Sequence, residues 1–222
     1  LASGEATGFR MNVDGRKGSS FNNVGILAND SMYVFVEVTV DPNGGNQPLL
    51  IQDSVLFTVN GIRQSVLLEA YGQDVNLYKG GVTITKDSIL TANRPYLIYD
   101  SLVIAKGVSL NIEKGATFYM HDKASLIVHG SMNALGTLDE PITFRGDRLD
   151  YILNDILPYD RTPGQWGGIT FKADSYGNVW DNVIVRNGTS GVYCELSTPD
   201  RPKIKINNSQ ITNMGSDLFF AI

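Results

Sequence analysis

The chain has 222 residues, 42% hydrophobic and 18% charged, with a net charge of −5. That composition suits one large or two modest globular domains and excludes a disordered chain, and the lack of a basic tract speaks against nucleic acid as a partner. A single cysteine excludes an intrachain disulfide, 23 glycines favour a turn-rich all-β fold, and no apolar run approaches the roughly twenty residues of a transmembrane segment.

Leu1 to Ser20 is polar and Gly/Ser-rich, and residues 1–19 are predicted to be a poorly ordered lead-in. Val34, Val36, Val38 and Val40 then alternate with Phe35, Glu37 and Thr39, the period of a strand with one apolar face. Asp41-Pro42-Asn43-Gly44-Gly45 ends it as a turn. Two β-rich runs, Leu49 to Val59 and Ile62 to Tyr71, flank Asn60-Gly61, a pair that tolerates the positive φ angles of a type I′ hairpin turn. An aliphatic strand, an Asp-Pro turn, a hairpin and a closing Ala70-Tyr71-Gly72-Gln73-Asp74 together resemble immunoglobulin-like modules of the abnormal-spindle type. The resemblance implies a small β-sandwich acting as a spacer or adhesive module over residues 1–80.

Lys79-Gly80-Gly81 marks the predicted boundary, and residues 81–222 form the second domain. From Val82 onward the apolar bursts shorten. Leu102-Val103-Ile104, Val108 to Ile112, Phe118 to Met120 and Leu126-Ile127-Val128 are separated by small polar breaks about every eight residues. The breaks are too close for helices and too regular for a loop. Strands this short suit a chain that winds and stacks on itself, with about five coils here.

Residues 145–165 interrupt the winding. Asp150 to Leu157 is predicted to form one or two helical turns ended by Pro158. The strand pattern resumes at Trp166-Gly167-Gly168-Ile169-Thr170-Phe171. Beyond it, Asp181 to Asn187 aligns with Asn207 to Asn213 at an offset of 26, and the same offset sets Tyr193 against Phe219. A fixed period of this size signals stacked repeats, each strand about 4.8 Å from its twin. Asn at equal positions is predicted to form an amide ladder between coils. The chain stops inside the apolar burst Leu218-Phe219-Phe220-Ala221-Ile222. The expectation is a solenoid truncated at its C-terminus, or a further chain or partner covering the last coil.

The 26-residue repeat, the W-G-G-I-x-F opening and the N-x-x-V/I-x-N pattern resemble the right-handed parallel β-helix of the pectate-lyase-like superfamily. The sandwich-plus-helix order and Pro158-Tyr159-Asp160-Arg161-Thr162-Pro163-Gly164-Gln165-Trp166-Gly167-Gly168-Ile169 resemble uncharacterised surface proteins of Gram-negative gut bacteria. That resemblance implies an exported protein, at the cell surface, outer membrane-associated or periplasmic. Four Asp-Ser-aliphatic or Asp-Ser-Met triplets (Asp30-Ser31-Met32, Asp53-Ser54-Val55, Asp87-Ser88-Ile89, Asp100-Ser101-Leu102) are similar to the O-glycosylation signal of such proteins, and equally to turns leading into strands.

The polygalacturonase-like branch of this superfamily, inverting hydrolases, carries N-T-D, D-D, G-H-G and R-I-K motifs, and none is present. Asp174, Asp181 and Glu195 are too scattered to assemble the six to eight oxygen ligands of a calcium site, and Arg186 is the one basic candidate beside them. His121 and His129 are predicted to be solvated turn residues, and Cys194 an inert buried thiol. Arg145-Gly146-Asp147 matches an integrin-binding tripeptide of a length that recurs by chance. No catalytic residue, metal or cofactor is implied.

The interruption itself is aromatic and charged. Tyr151, Tyr159 and Trp166 bracket Asp155, Asp160 and Arg161, a grouping suited to stacking on sugar rings beside bidentate hydrogen bonds. Alternatively, Tyr159 and Trp166 pin the excursion to the solenoid. The expected function is a non-catalytic surface protein, adhesive or binding polysaccharide or host cell-surface glycan through the lateral face of the helix. A polysaccharide lyase or glycoside hydrolase, and a structural stalk, are the alternatives.

Overall fold

The structure, a computed structural model, describes residues 1–41, 44, 48–153, 157–196 and 200–222. It is all-β and divides into two compact units, Leu1–Asp74 and Val75–Ile222. Asn76–Tyr78 is already a solenoid strand, ahead of the Lys79-Gly80-Gly81 boundary read from composition.

In the first unit, Phe9–Val13 is the central strand of an antiparallel sheet between Arg16–Gly18 and Val34–Val38. The predicted lead-in is therefore ordered. Phe9, Met11 and Val13 alternate inward and are buried, and Asp14-Gly15, both at positive φ (51° and 77°), close a two-residue hairpin turn. Leu49–Val59 and Ile62–Gly72 form a second, two-stranded sheet in full register around Asn60 (φ 51°) and Gly61 (φ 78°). The N-terminal segment ties onto this hairpin: Ser3 N–H and Thr7 Oγ1 donate to the buried Asp53 carboxylate at 3.1 and 2.8 Å, and Ala2 N–H to Ser54 O at 2.9 Å. Pro42, Asn43 and Gly45 of the expected turn lie outside the described residues.

The second unit is a β-solenoid of three stacked parallel sheets. Face I comprises Asn76–Tyr78, Tyr96–Ile98, Thr117–Met120, Ile142–Gly146, Val183–Arg186 and Gln210–Thr212. Face II comprises Val82–Ile84, Ser101–Ile104, Ser125–Val128, Gly168–Phe171, Val192–Cys194 and Phe219–Ala221. Face III comprises Ser88–Leu90, Ser109–Ile112, Ser131–Leu135, Asn178–Asp181 and Ile204–Asn207. The chain visits the faces in the order II, III, I, which makes five complete coils among the described residues.

Alternation explains the core. In Thr117–Met120 and Ile142–Gly146 every second residue is buried, and parallel in-register pairing puts like beside like. Tyr96, Phe118 and Phe144 stack at 4.9 and 4.6 Å between ring centres, and Trp180 of face III continues the column at 6.4 Å. Each such pair contributes about 0.5–1.5 kcal/mol beyond its buried area.

The repeat offset is 26 on faces III and I, where Asp181 faces Asn207 and Arg186 faces Thr212. On face II it becomes 27: Tyr193 stacks on Phe220, not Phe219, with rings 5.5 Å apart and 6° from parallel. The corner 213–218 holds one residue more than its twin 187–191, and a single residue exchanges the two faces of a strand.

The repeated asparagines are corners rather than a ladder. Asn182, Asn208, Asn187 and Asn213 all adopt left-handed φ angles (50°, 47°, 68° and 56°), a region Asn tolerates because its short side chain bonds locally. The amide ladder lies instead on face III, where Asn133 Nδ2 donates to Asn111 Oδ1 at 3.1 Å. No helix among the described residues is long and apolar enough to cross a membrane.

Candidate functional site

The outward residues of face I form a column. Leu77, Leu97 and Tyr119 lie in register, Tyr119 faces Arg145, and the pairing of Ile142–Phe144 with Val183–Val185 sets Arg145 beside Arg186, which faces Thr212. Two guanidinium groups thus occupy successive rungs. Arg145 also sits 5.9 Å from the Tyr119 ring centre.

The excursion from Asp147 to Gln165 folds back over these arginines. Its first part is a short antiparallel pairing, Tyr151–Leu153 with Leu157–Pro158, followed by a single 3₁₀ turn at Tyr159–Arg161. Among the described residues, strand pairing stands where the sequence predicts helical turns; Asn154, Asp155 and Ile156 lie outside them. Eight residues are too few for a self-supporting helix, and pairing across the excursion satisfies the backbone instead.

Asp160 reaches the arginine pair. Its Oδ1 lies 3.0 Å from Arg145 Nη2 and 3.1 Å from Arg186 Nη2, and its Oδ2 accepts from Arg186 Nη1 at 3.3 Å. The two Oδ1 contacts are ion pairs without hydrogen-bond alignment, so this buried oxygen accepts no hydrogen bond. Burial lowers the pKa of Arg145, and the neighbouring Arg186 adds to that, while Asp160 works against it. Arg148 makes a bidentate pair with Asp150 at 2.8 and 2.6 Å and lies 4.1 Å over the Tyr159 ring. The pair raises the Arg148 pKa and lowers that of Asp150.

The excursion is anchored from below. Asn187, fully buried, donates from Nδ2 to Asp160 O at 2.8 Å and Thr162 O at 3.2 Å. Gln165 Nε2 donates to Tyr159 O and to Thr162 O. Trp166 is 0% exposed, its indole N–H donates to Arg186 O at 2.8 Å, and its backbone bridges Gly188.

These contacts sort the residues expected from sequence. Trp166, fully buried, holds the excursion through its indole N–H and leaves no ring face open to a sugar. Tyr159 is half-buried with Arg148 over one face, and Arg161 is exposed. Asp160 is engaged by the two arginines. The Tyr151 backbone pairs with Pro158, and Asp155 lies outside the described residues. Arg145-Gly146-Asp147 is built into a strand and its corner, with both charged ends paired rather than presented.

Sequence reading missed the arginine column, although the strands Ile142-Thr143-Phe144-Arg145 and Val183-Ile184-Val185-Arg186 carry Arg at the same place. It also missed that each histidine finds an aspartate one coil on. His121 Nδ1 is 2.6 Å from Asp147 Oδ2, and the His121 ring lies 4.1 Å from that of Tyr99. His129 Nδ1 is 3.1 Å from Asp174 Oδ1. Burial raises the Asp174 pKa, but the hydrogen bonds from His129 and from its own backbone N–H, with the charges of His129 and Lys106, together outweigh it and the net shift is downward. Among the described residues no three His, Cys, Asp or Glu side chains converge on a metal site.

No protein-family model matches the chain, and no solved structure does. A stretch of 104 residues, 45% of the chain, is 31% identical to Protein bark beetle of Drosophila melanogaster. The stretch spans 3% of that relative's length, so the likeness is local.

Proposed function

We propose that the chain belongs to a non-catalytic exported surface protein, adhesive or glycan-binding, that recognises its ligand through the outer side of face I. In this reading the solenoid is a right-handed helix of the pectate-lyase-like kind, and the N-terminal sheet and hairpin are the parts of an immunoglobulin-like spacer. The observation that carries it is the in-register column Leu97, Tyr119, Arg145 and Arg186, bordered by Tyr159 and Arg161 of the excursion. A flat aromatic ring beside guanidinium groups offers a sugar both a stacking surface and directed donors. An excursion from a repetitive scaffold is also where recognition commonly resides.

A glycan array probed with the full chain tests this. Binding that Tyr119→Ala and Arg161→Ala weaken supports face I. Silence across neutral and acidic glycans, or binding that both variants leave intact, refutes it.

A second reading, a polysaccharide lyase or glycoside hydrolase, has one observation in its favour. The His121 ring is fixed in orientation by Asp147, its Nδ1 2.6 Å from Asp147 Oδ2, the arrangement a general acid–base histidine requires. Absorbance of unsaturated products from uronic-acid polysaccharides, abolished by His121→Ala, is its test.

A further inference from the structure

We propose that Arg145 and Arg186 form a binding site for an oxyanion, the carboxylate or sulfate of an acidic polymer, and that the Asp160 carboxylate of the excursion is its resting occupant. The polymer part of this inference rests on the recognition reading above; the ion site does not.

Like charges directly opposite one another destabilise paired strands. Elsewhere in this column the outward residues are Leu77, Leu97, Tyr119 and Thr212, all uncharged. Two arginines on successive rungs about 4.8 Å apart are therefore not what solenoid folding alone calls for. The chain supplies them with one carboxylate, and the fit is incomplete. Asp160 Oδ1 lies within ion-pair distance of both Nη2 atoms without hydrogen-bond alignment to either, and the buried Nε–H of Arg186 finds no acceptor. Two cations and one anion leave a net positive charge, and guanidinium donors are shaped for planar or tetrahedral oxyanions.

The occupant is also placed to leave. The Asp160 side chain is 40% exposed, whereas that of Arg145 is 14% exposed. Asn187 holds the Asp160 backbone through its carbonyl, so rotation of the Asp160 side chain uncovers the arginines without unfolding the excursion. The nearby Arg148 is already matched by Asp150 and does not compete for the ligand. Tyr119, one rung from Arg145, offers the incoming polymer a ring.

Calorimetric titration of the full chain with sodium sulfate at constant ionic strength tests the ion site, and dextran sulfate against neutral dextran tests the polymer. Asp160→Ala and Asp160→Asn are expected to tighten sulfate about tenfold, the advantage of removing a partly screened internal competitor. Arg186→Gln is expected to abolish binding in either background, with Arg186→Lys retaining part of it, and thermal melts confirm that each variant is folded. Sulfate affinity unchanged by the Asp160 variants, or binding that survives Arg186→Gln, overturns the proposal. Sulfate responses as expected with dextran sulfate silent leave the ion site standing and count against the recognition reading.

Discussion

Gly130 offers a severe test of the stacking, because it stands where one coil touches the next. A Cβ at this position would lie 2.0 Å from Val108 O and 2.6 Å from Ala105 O, both backbone atoms of the preceding coil. The ordinary closest approach of carbon to a carbonyl oxygen is about 3.3 Å, so the coils must part by about 1.3 Å there. That movement strains the bond from Ser131 N–H to Val108 O (2.9 Å) and the one from Gly130 N–H to Ile104 O (3.3 Å). Two weakened hydrogen bonds and the overpacking together make Gly130→Ala cost about 3–5 kcal/mol. Gly107→Ala is the control: it meets nothing within 4 Å and suffers only its left-handed φ of 77°, a cost of about 1–2 kcal/mol. Urea unfolding followed by tryptophan fluorescence reads the solenoid, since Trp166 and Trp180 both lie in it. Equal midpoints for the two variants, or a Gly130→Ala loss below about 1 kcal/mol, would refute the coil contact.

Trp166→Ala is expected to destabilise the solenoid by about 3–5 kcal/mol in denaturant unfolding, as removal of a buried indole does. Any glycan response it loses therefore reports the scaffold rather than a sugar platform. Asn187→Ala removes both donors to the excursion and adds left-handed strain. Limited proteolysis is expected to cut it within residues 147–163 sooner than Asn187→Gly, which loses the donors alone. Burial raises the Asp53 pKa, but hydrogen bonds from Thr7, Ser54 and Ser3 outweigh it and hold it below the ordinary value. Its stabilisation is thus complete above the unfolded value of about 3.9 and lost as pH falls through the folded one. Melts by circular dichroism should be flat from neutral pH and drop in acid, with Asp53→Asn dropping less; parallel curves would contradict this. Thr143→Cys with Ile184→Cys, facing each other across the excursion, should form a disulfide in mass spectra without loss of melting temperature.

The solenoid was legible because its strands alternate and break at short, regular intervals, and the hairpin because Asn60-Gly61 admits one turn geometry. Phe9-Arg10-Met11-Asn12-Val13 alternates as clearly as any strand, but glycines and serines around it masked the signal. The offset of 26 failed on face II because one extra corner residue is invisible to a pattern matched on Asn and aliphatic positions alone. At the site, aromatic residues drew attention to the excursion, yet the chemistry lies beneath it. Arg145 and Arg186 are 41 positions apart, a separation that becomes one rung only when the excursion is subtracted. Trp166 was ambiguous by nature, since an indole serves equally as a buried pin and as a sugar platform until its burial is known.

Hydrogen–deuterium exchange of the full chain, with and without dextran sulfate, asks most directly whether face I is the recognition surface. Slowed exchange is expected in Thr117–Met120, Ile142–Gly146 and the Tyr159–Arg161 turn, with Ser109–Ile112 on face III and the Leu49–Gly72 hairpin unchanged. Protection confined to the hairpin or to face III, or no protection under saturating polymer, would contradict it.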